Sequence, residues 1–283
     1  PSPKDSAAAI GLACAIIHER EPDAIIGSFA ADHVINPVDE FQRVVTEAVI
    51  TAASGKIVTI GITPTEPSSA FGYIRACTPL GLAHAPNALA VESFVEKPDS
   101  ETAQKYLDSG DYTWNAGMFV APVSLMLQHL KKNEPELYGG IMKIAKAWDT
   151  PERESIMEQT WGTLPKTAID YAVAEPAAAA GDVAMVPGSF SWDDVGDFDA
   201  VARLNQEKHG EGLTILGDED NVINQGCSGI VVANSKRKIS VIGLEDIVVV
   251  DTPDALLVAP REQAQAVKDT VAELKDRGLA DLL

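Results

Sequence analysis

Along the first two-thirds of the chain, apolar positions alternate between a helical period and short unbroken runs. A helix capped by Asp5 or Ser6 extends to Arg20, and the following run Ala24-Ile25-Ile26-Gly27-Ser28-Phe29 has the length of a buried strand. From Val38 onward, Phe41, Val44, Val45, Ala48, Val49 and Ala52 fall on one helical face. Gly55 closes that helix, and residues 56–62 return to strand. Strand, helix and strand in this order make a βαβ unit with a right-handed crossover. Further strands are predicted at 71–78, 90–95 and 112–120, with a helix capped by Ser100 and running to Ser109. Three helical segments fill 122–175, read from Leu125, Met126, Leu127 and Leu130, then Ile141, Ile144, Ala145 and Trp148, with Pro151 restarting a helix in its first turn.

After Leu204 the pattern changes to short β-rich runs at 213–216, 229–232, 239–242, 247–251 and 255–258, separated by Gly, Asn and Asp. The last two runs, joined through Thr252-Pro253-Asp254, form a hairpin, and an amphipathic helix from Glu262 to Leu274 follows. The spacing of the runs is too irregular to predict a solenoid. The expected fold is therefore α/β. A Rossmann-like mixed, mostly parallel sheet carries helices on both faces over residues 1–205, and a small C-terminal β-rich unit ending in a helix occupies 206–283.

Composition narrows the function. The hydrophobic fraction is 46% and the charged fraction 23%, and no apolar run approaches the roughly 20 residues of a membrane span. Three cysteines without metal-ligand spacing, and no secretory signal pattern, point to the cytoplasm. A formal charge of −20 argues against a nucleic-acid surface. It also means that a bound phosphate needs local neutralisation by a metal and a few placed cations.

Two acidic clusters are candidates for that metal. Ala31-Asp32-His33 follows the strand at 24–29, beyond whose carboxyl end ligands of open α/β sheets bind. Trp192-Asp193-Asp194-Val195-Gly196 is the second, and two carboxylates from distant segments with waters and phosphates suit Mg²⁺. Taken singly, each reads better as a capping or turn aspartate. Phe94-Val95-Glu96-Lys97-Pro98 ends a strand with a cation suited to phosphate and an acid able to accept hydroxyls. Phe71-Gly72-Tyr73 and Trp114-Asn115-Ala116-Gly117-Met118-Phe119 set a glycine among aromatics, where a ligand can approach the backbone. No Ser-His-Asp or Cys-His spacing, dinucleotide fingerprint or Walker motif is present.

The order of these motifs resembles that of mannose-1-phosphate guanylyltransferases of the nucleotidyltransferase superfamily. The matching stretches include 28–35, Gly61-Ile62-Thr63-Pro64-Thr65, 71–74, 94–98, 114–119, Ala168-Ile169-Asp170-Tyr171-Ala172 and 192–196. The resemblance implies transfer of GMP from GTP to mannose 1-phosphate, giving GDP-mannose and pyrophosphate. It assigns Asp32 and Asp194 to Mg²⁺ and Lys97 to the sugar phosphate. Gly72, Glu96, Asn115, Gly117 and Asp170 would line the mannose, and Ser2, Lys4, Asp5, Ser6 and Ala31 would face the nucleotide. The family's opening Gly-rich loop with Arg and Lys is absent from the sequence, so a further βαβ portion is expected ahead of Pro1. Two other readings stay open: another sugar-1-phosphate nucleotidyltransferase, and a non-catalytic sugar-nucleotide binding module. The small β unit is also a candidate homodimer surface.

Overall fold

The computed structural model describes residues 2–209 and 212–282; Pro1, the head of the segment expected to face the nucleotide, lies outside them. The chain forms two compact units, Pro1–Ala31 with Ile35–Trp192, and Asp32–Val34 with Asp193–Leu283. No helix among the described residues is long and apolar enough to cross a membrane.

In the first unit six strands make one sheet. Their order is β1 (Ile25–Ser28), β6 (Tyr112–Pro122), β3 (Ile57–Ile62), β7 (Val183–Gly188), β5 (Leu89–Val95) and β4 (Gly72–Pro79), and β4 also pairs with β6. The α/β class and the mixed sheet agree with the sequence pattern, but antiparallel pairings predominate where a mostly parallel sheet is expected. β3 and β7 run parallel, whereas β1 with β6, β3 with β6, β4 with β5 and with β6, and β5 with β7 are antiparallel. The reason is the position of β6. It lies between β1 and β3, which remain parallel to each other across it, so the βαβ alternation is real although its two strands are not neighbours.

Side chains alternate across the sheet, and each face buries one set. Ile57, Phe119, Ala121, Val183 and Met185 pack under α1 (Ser6–Arg20), α4 (Val123–Asn133) and α5 (Pro135–Ala147). Val58, Ile60, Met118, Val120, Ala184 and Val186 pack on the other face, under α2 (Val38–Ala52) and α3 (Ser100–Ser109). The cap of α3 is Asp99, whose carboxylate accepts from the Thr102 N–H, and not Ser100. After α6 (Arg153–Trp161) a single π turn, Asp170–Ala174, leads into the short α7 (Glu175–Ala179). Two short strands, β2 (Val34–Asn36) and β8 (Ser191–Asp193), pair with each other.

The second unit holds α8 (Phe198–His209) and a coil of parallel strands. β9 (Leu213–Gly217), β11 (Gly229–Ala233) and β13 (Ile247–Asp251) lie side by side, with Leu213 opposite Gly229 and Gly229 opposite Ile247, sixteen and then eighteen residues further on. β10 (Val222–Gln225) and β12 (Ile239–Ile242) form a second parallel pair, Val222 opposite Ile239. The unit is therefore a solenoid, a finer feature of the expected β-rich unit that its sequence pattern does not predict. Unequal turns between few rungs conceal the repeat. Cys227, Val231, Val241, Ile247 and Val249 fill one core. The hairpin forms as expected, β14 (Leu256–Pro260) lying antiparallel to β13. The final helix begins as a 3₁₀ segment, Arg261–Ala266, before α9 (Val267–Asp276).

Candidate functional site

A polar cradle forms in the first unit at the place where β6 is irregular. Asn115 pairs with Gly61 and Phe119 with Thr59, so four steps along β6 face two along β3, and the surplus residues form a bulge. Gly117 sits in this bulge at φ 66°, a left-handed conformation that glycine adopts without strain. The Asn115 side chain is buried and fully oriented. Its Oδ1 accepts from Thr59 Oγ1 at 2.7 Å and from the Gly117 N–H at 3.2 Å, which turns Nδ2 to donate to Asp170 Oδ1 at 2.9 Å.

Glu96 lies beside this pair. Its side chain is 7% exposed, Lys97 Nζ stands 3.5 Å from Oε1, and Oε2 is buried with no hydrogen-bond partner. Burial first, then the nearby Asp170 carboxylate, push the Glu96 carboxyl up to about 7 against the opposing pull of Lys97. Asp170 is likewise raised, chiefly by burial, while its own backbone N–H and Asn115 act in the other direction. Gly72 completes the cradle from β4. A Cβ there would stand 2.5 Å from Glu96 Oε2 and 3.3 Å from the Asn115 Cβ, so any side chain would occupy the space the carboxyl needs. All six residues proposed from the sequence for sugar and sugar phosphate, Gly72, Glu96, Lys97, Asn115, Gly117 and Asp170, thus fall around one point. An unpaired acceptor, two carboxyls that disfavour each other's charge, and an exposed ammonium together suit a neutral polyhydroxyl ligand bearing an anionic group.

The opening segment is anchored elsewhere in the same unit. Lys4 Nζ donates to the carbonyls of Gly162 and Leu164 at 2.6 and 2.7 Å, Trp161 Nε1 donates to the Ser2 carbonyl, and the Ile169 N–H donates to Ser6 Oγ. Asp5 caps α1 from φ 70°, its carboxylate accepting from the Ser6 N–H. Lys4 in this arrangement secures the loop before α1, with two of its three donors already occupied by backbone. Ala31 is exposed at the end of the first unit's opening stretch.

The two candidate metal carboxylates fall in the second unit. Asp32, Asp194 and Asp193 all act electrostatically on His33, whose imidazole is nevertheless held below its usual value by burial. Asp193 is already engaged, accepting from the Val195 N–H and from Arg203. Asp194 is half-buried, and its carboxyl is raised by burial and then by Asp193, with the Gly196 and Asp194 backbone N–H groups pulling it down. Val195 at φ 46° makes the tight turn that presents it. Among the described residues no group of three or more His, Cys, Asp or Glu side chains is placed to hold a metal alone. Two oxygen donors on separate segments, one of them a charge-crowded acid that a cation would relieve, fit a hard ion completed by waters and phosphate oxygens.

Residues 1–211 match the family model described as nucleotidyl transferase. The chain belongs to the nucleotidyl transferase family. Residues 220–274 also match a MannoseP isomerase/GMP-like beta-helix domain, in keeping with the parallel coil. The xanthan biosynthesis protein XanB of Xanthomonas campestris is 37% identical over 285 residues, covering 99% of this chain and 57% of that protein. Mannose-1-phosphate guanylyltransferase of Escherichia coli K12 is 36% identical over 282 residues, covering 98% and 57%. A crystal structure described as mannose-1-phosphate geranyltransferase from Thermus thermophilus superposes with a TM-score of 0.78 at 28% identity, over 97% of this chain and 76% of that one. The chain spans a little over half the length of the two sequence relatives.

Sequence reasoning misses three parts of the cradle. Thr59, buried in β3, gives no sign in the sequence of the bond it makes to Asn115. The π turn that presents Asp170 has no composition of its own. Glu175 stands in the sequence as one acid before a proline and an alanine run, although its Oε1 accepts from the Glu96 N–H at 2.9 Å.

Proposed function

We propose that the protein transfers GMP from GTP to α-D-mannose 1-phosphate, forming GDP-mannose and pyrophosphate in the cytoplasm. The observation that supports this most is the cradle. Glu96 Oε2 is a buried acceptor lacking a partner, and in a native protein such a group calls for a ligand hydroxyl. Asn115 is already oriented by Thr59 and Gly117, so a sugar meets a preformed site. In this reading Lys97, exposed and adjacent, takes the sugar phosphate as a point cation, while Asp170 and Glu96 accept ring hydroxyls.

Asp32 and Asp194 would hold Mg²⁺. When bound, such an ion supplies neutralisation of phosphate charge during transfer. The transfer itself requires alignment and charge stabilisation more than covalent help from the protein. Lys97 aligns the attacking phosphate. Glu96, Asn115 and Asp170 fix the sugar ring that carries it. The kinship with both the Escherichia coli and Thermus proteins favours mannose, and that with the Escherichia coli guanylyltransferase favours guanine.

A panel of nucleoside triphosphates against mannose and glucose 1-phosphates, with the full-length protein, magnesium and pyrophosphate detection, tests the proposal. GTP with mannose 1-phosphate is expected to be the best pair. Faster turnover with glucose 1-phosphate or another triphosphate would transfer the protein to a sister specificity. GDP-mannose binding by calorimetry with no pyrophosphate from any pair would make it a binding module.

A further inference from the structure

We propose that Glu175 is a positioning residue for the cradle: its carboxylate holds the backbone N–H of Glu96, and through that bond sets where the Glu96 carboxyl and the Lys97 ammonium stand. The ladder between β4 and β5 ends at Val95, opposite Tyr73, so the next N–H has no strand partner. Glu175 Oε1 takes it at 2.9 Å. Immediately beyond, Lys97 adopts φ 47°, a left-handed conformation that a non-glycine residue keeps only when its surroundings impose it. Pro98, buried, fixes the chain on the far side. The Glu175 bond is the restraint on the near side. Because Glu175 follows the π turn that begins at Asp170, one short piece of chain presents an acid to the ligand space and holds the opposite wall.

Glu175 also acts on Glu96 electrostatically, raising its carboxyl, although burial and Asp170 contribute more and Lys97 opposes. Tyr171, whose hydroxyl is raised by burial and then by Glu96, is a further titratable neighbour. The kinetic consequence of this inference rests on the proposed sugar-phosphate reading; the electrostatic one needs geometry alone.

The test compares Glu175→Gln with Glu175→Ala in the full-length protein. Glu175→Gln retains a carbonyl acceptor for the Glu96 N–H and removes the charge, and Glu175→Ala removes both. The Glu96 carboxyl is followed by carbon-13 NMR, assigned by its loss in Glu96→Gln. In Glu175→Gln its titration is expected to move to lower pH while the KM for mannose 1-phosphate stays near that of the wild type. In Glu175→Ala that KM is expected to rise roughly tenfold, the equivalent of one lost hydrogen bond, with a smaller change in kcat. An unmoved Glu96 titration in both variants would overturn the proposal, as would an unchanged KM in Glu175→Ala. If Glu175→Ala does not fold, the titration in Glu175→Gln decides. If the wild type transfers nothing, the functional reading fails, and the Glu96 titration still decides the role of Glu175.

Discussion

Glu96 is an acid kept from ionising by its surroundings, and this gives the protein a pH signature. Its carboxyl titrates at about 7 when folded, against an ordinary 4.5. Below 4.5 both folded and unfolded chains hold the proton, and the group has no effect on stability. Between 4.5 and 7 the unfolded chain releases the proton while the folded one retains it, so stability falls as pH rises and levels off above 7. The difference is on the order of 3 kcal/mol. Glu96→Gln should therefore melt like the wild type at about pH 4 and well above it at about pH 8, which thermal unfolding across that range measures. Gly72→Ala should act oppositely on function, since its methyl group would displace the Glu96 carboxyl; sugar-phosphate KM is expected to rise with little loss of stability. For Asp194, burial and then Asp193 disfavour the charge, so by the same reasoning Asp194→Asn should melt no lower than the wild type at neutral pH. These cradle and carboxylate positions are legible in the sequence through the order of their motifs, which resembles the family's, and not singly, since each alone reads as well as a turn, a cap or a strand end. Glu175 is not, because a bond from a side chain to a backbone N–H some eighty residues away leaves no local trace.

At the scale of elements, the first unit follows its hydrophobic periods closely. α2 and β3 lie where period 3.6 and an unbroken apolar run place them, α1 begins at the cap that the sequence offers, and Lys4 fastens the loop before α1 to the Gly162 and Leu164 carbonyls. The central strand β7 escapes the pattern. Val183-Ala184-Met185-Val186 is a short run after an alanine-rich helix, and its partner β3 lies far away in sequence. The parallel coil is hidden for a related reason: each rung pairs with one sixteen to eighteen residues away, and the interval changes from one pairing to the next. Gly229 shows how tightly the rungs stack. It has φ 116°, and a Cβ would lie 2.1 Å from the Ile247 carbonyl oxygen, which belongs to the backbone and cannot step aside. Gly229→Ala is expected to cost about 2 to 4 kcal/mol, from backbone strain and overpacking together. Limited proteolysis should then cut selectively within the second unit, and a variant as resistant as the wild type would argue against the assigned strand register.

Over the whole molecule, a formal charge of −20 opposes compaction and repels phosphates, so the sites for anionic ligands need local cations. Lys97 in the first unit and a metal held by Asp32 and Asp194 in the second would meet that need. Self-repulsion of this size is screened as the Debye length shrinks from about 30 Å at 0.01 M salt to about 8 Å at 0.15 M. The melting temperature should rise over that range, and calorimetry at several salt concentrations measures it. The most direct test of the proposed function is pyrophosphate release by the full-length protein given GTP, mannose 1-phosphate and magnesium, with Asp194→Asn in parallel. Pyrophosphate equal in amount to GDP-mannose from the wild type, and none from an equally well folded Asp194→Asn, is the expected result. Full activity in Asp194→Asn, or no pyrophosphate from the wild type, would contradict it.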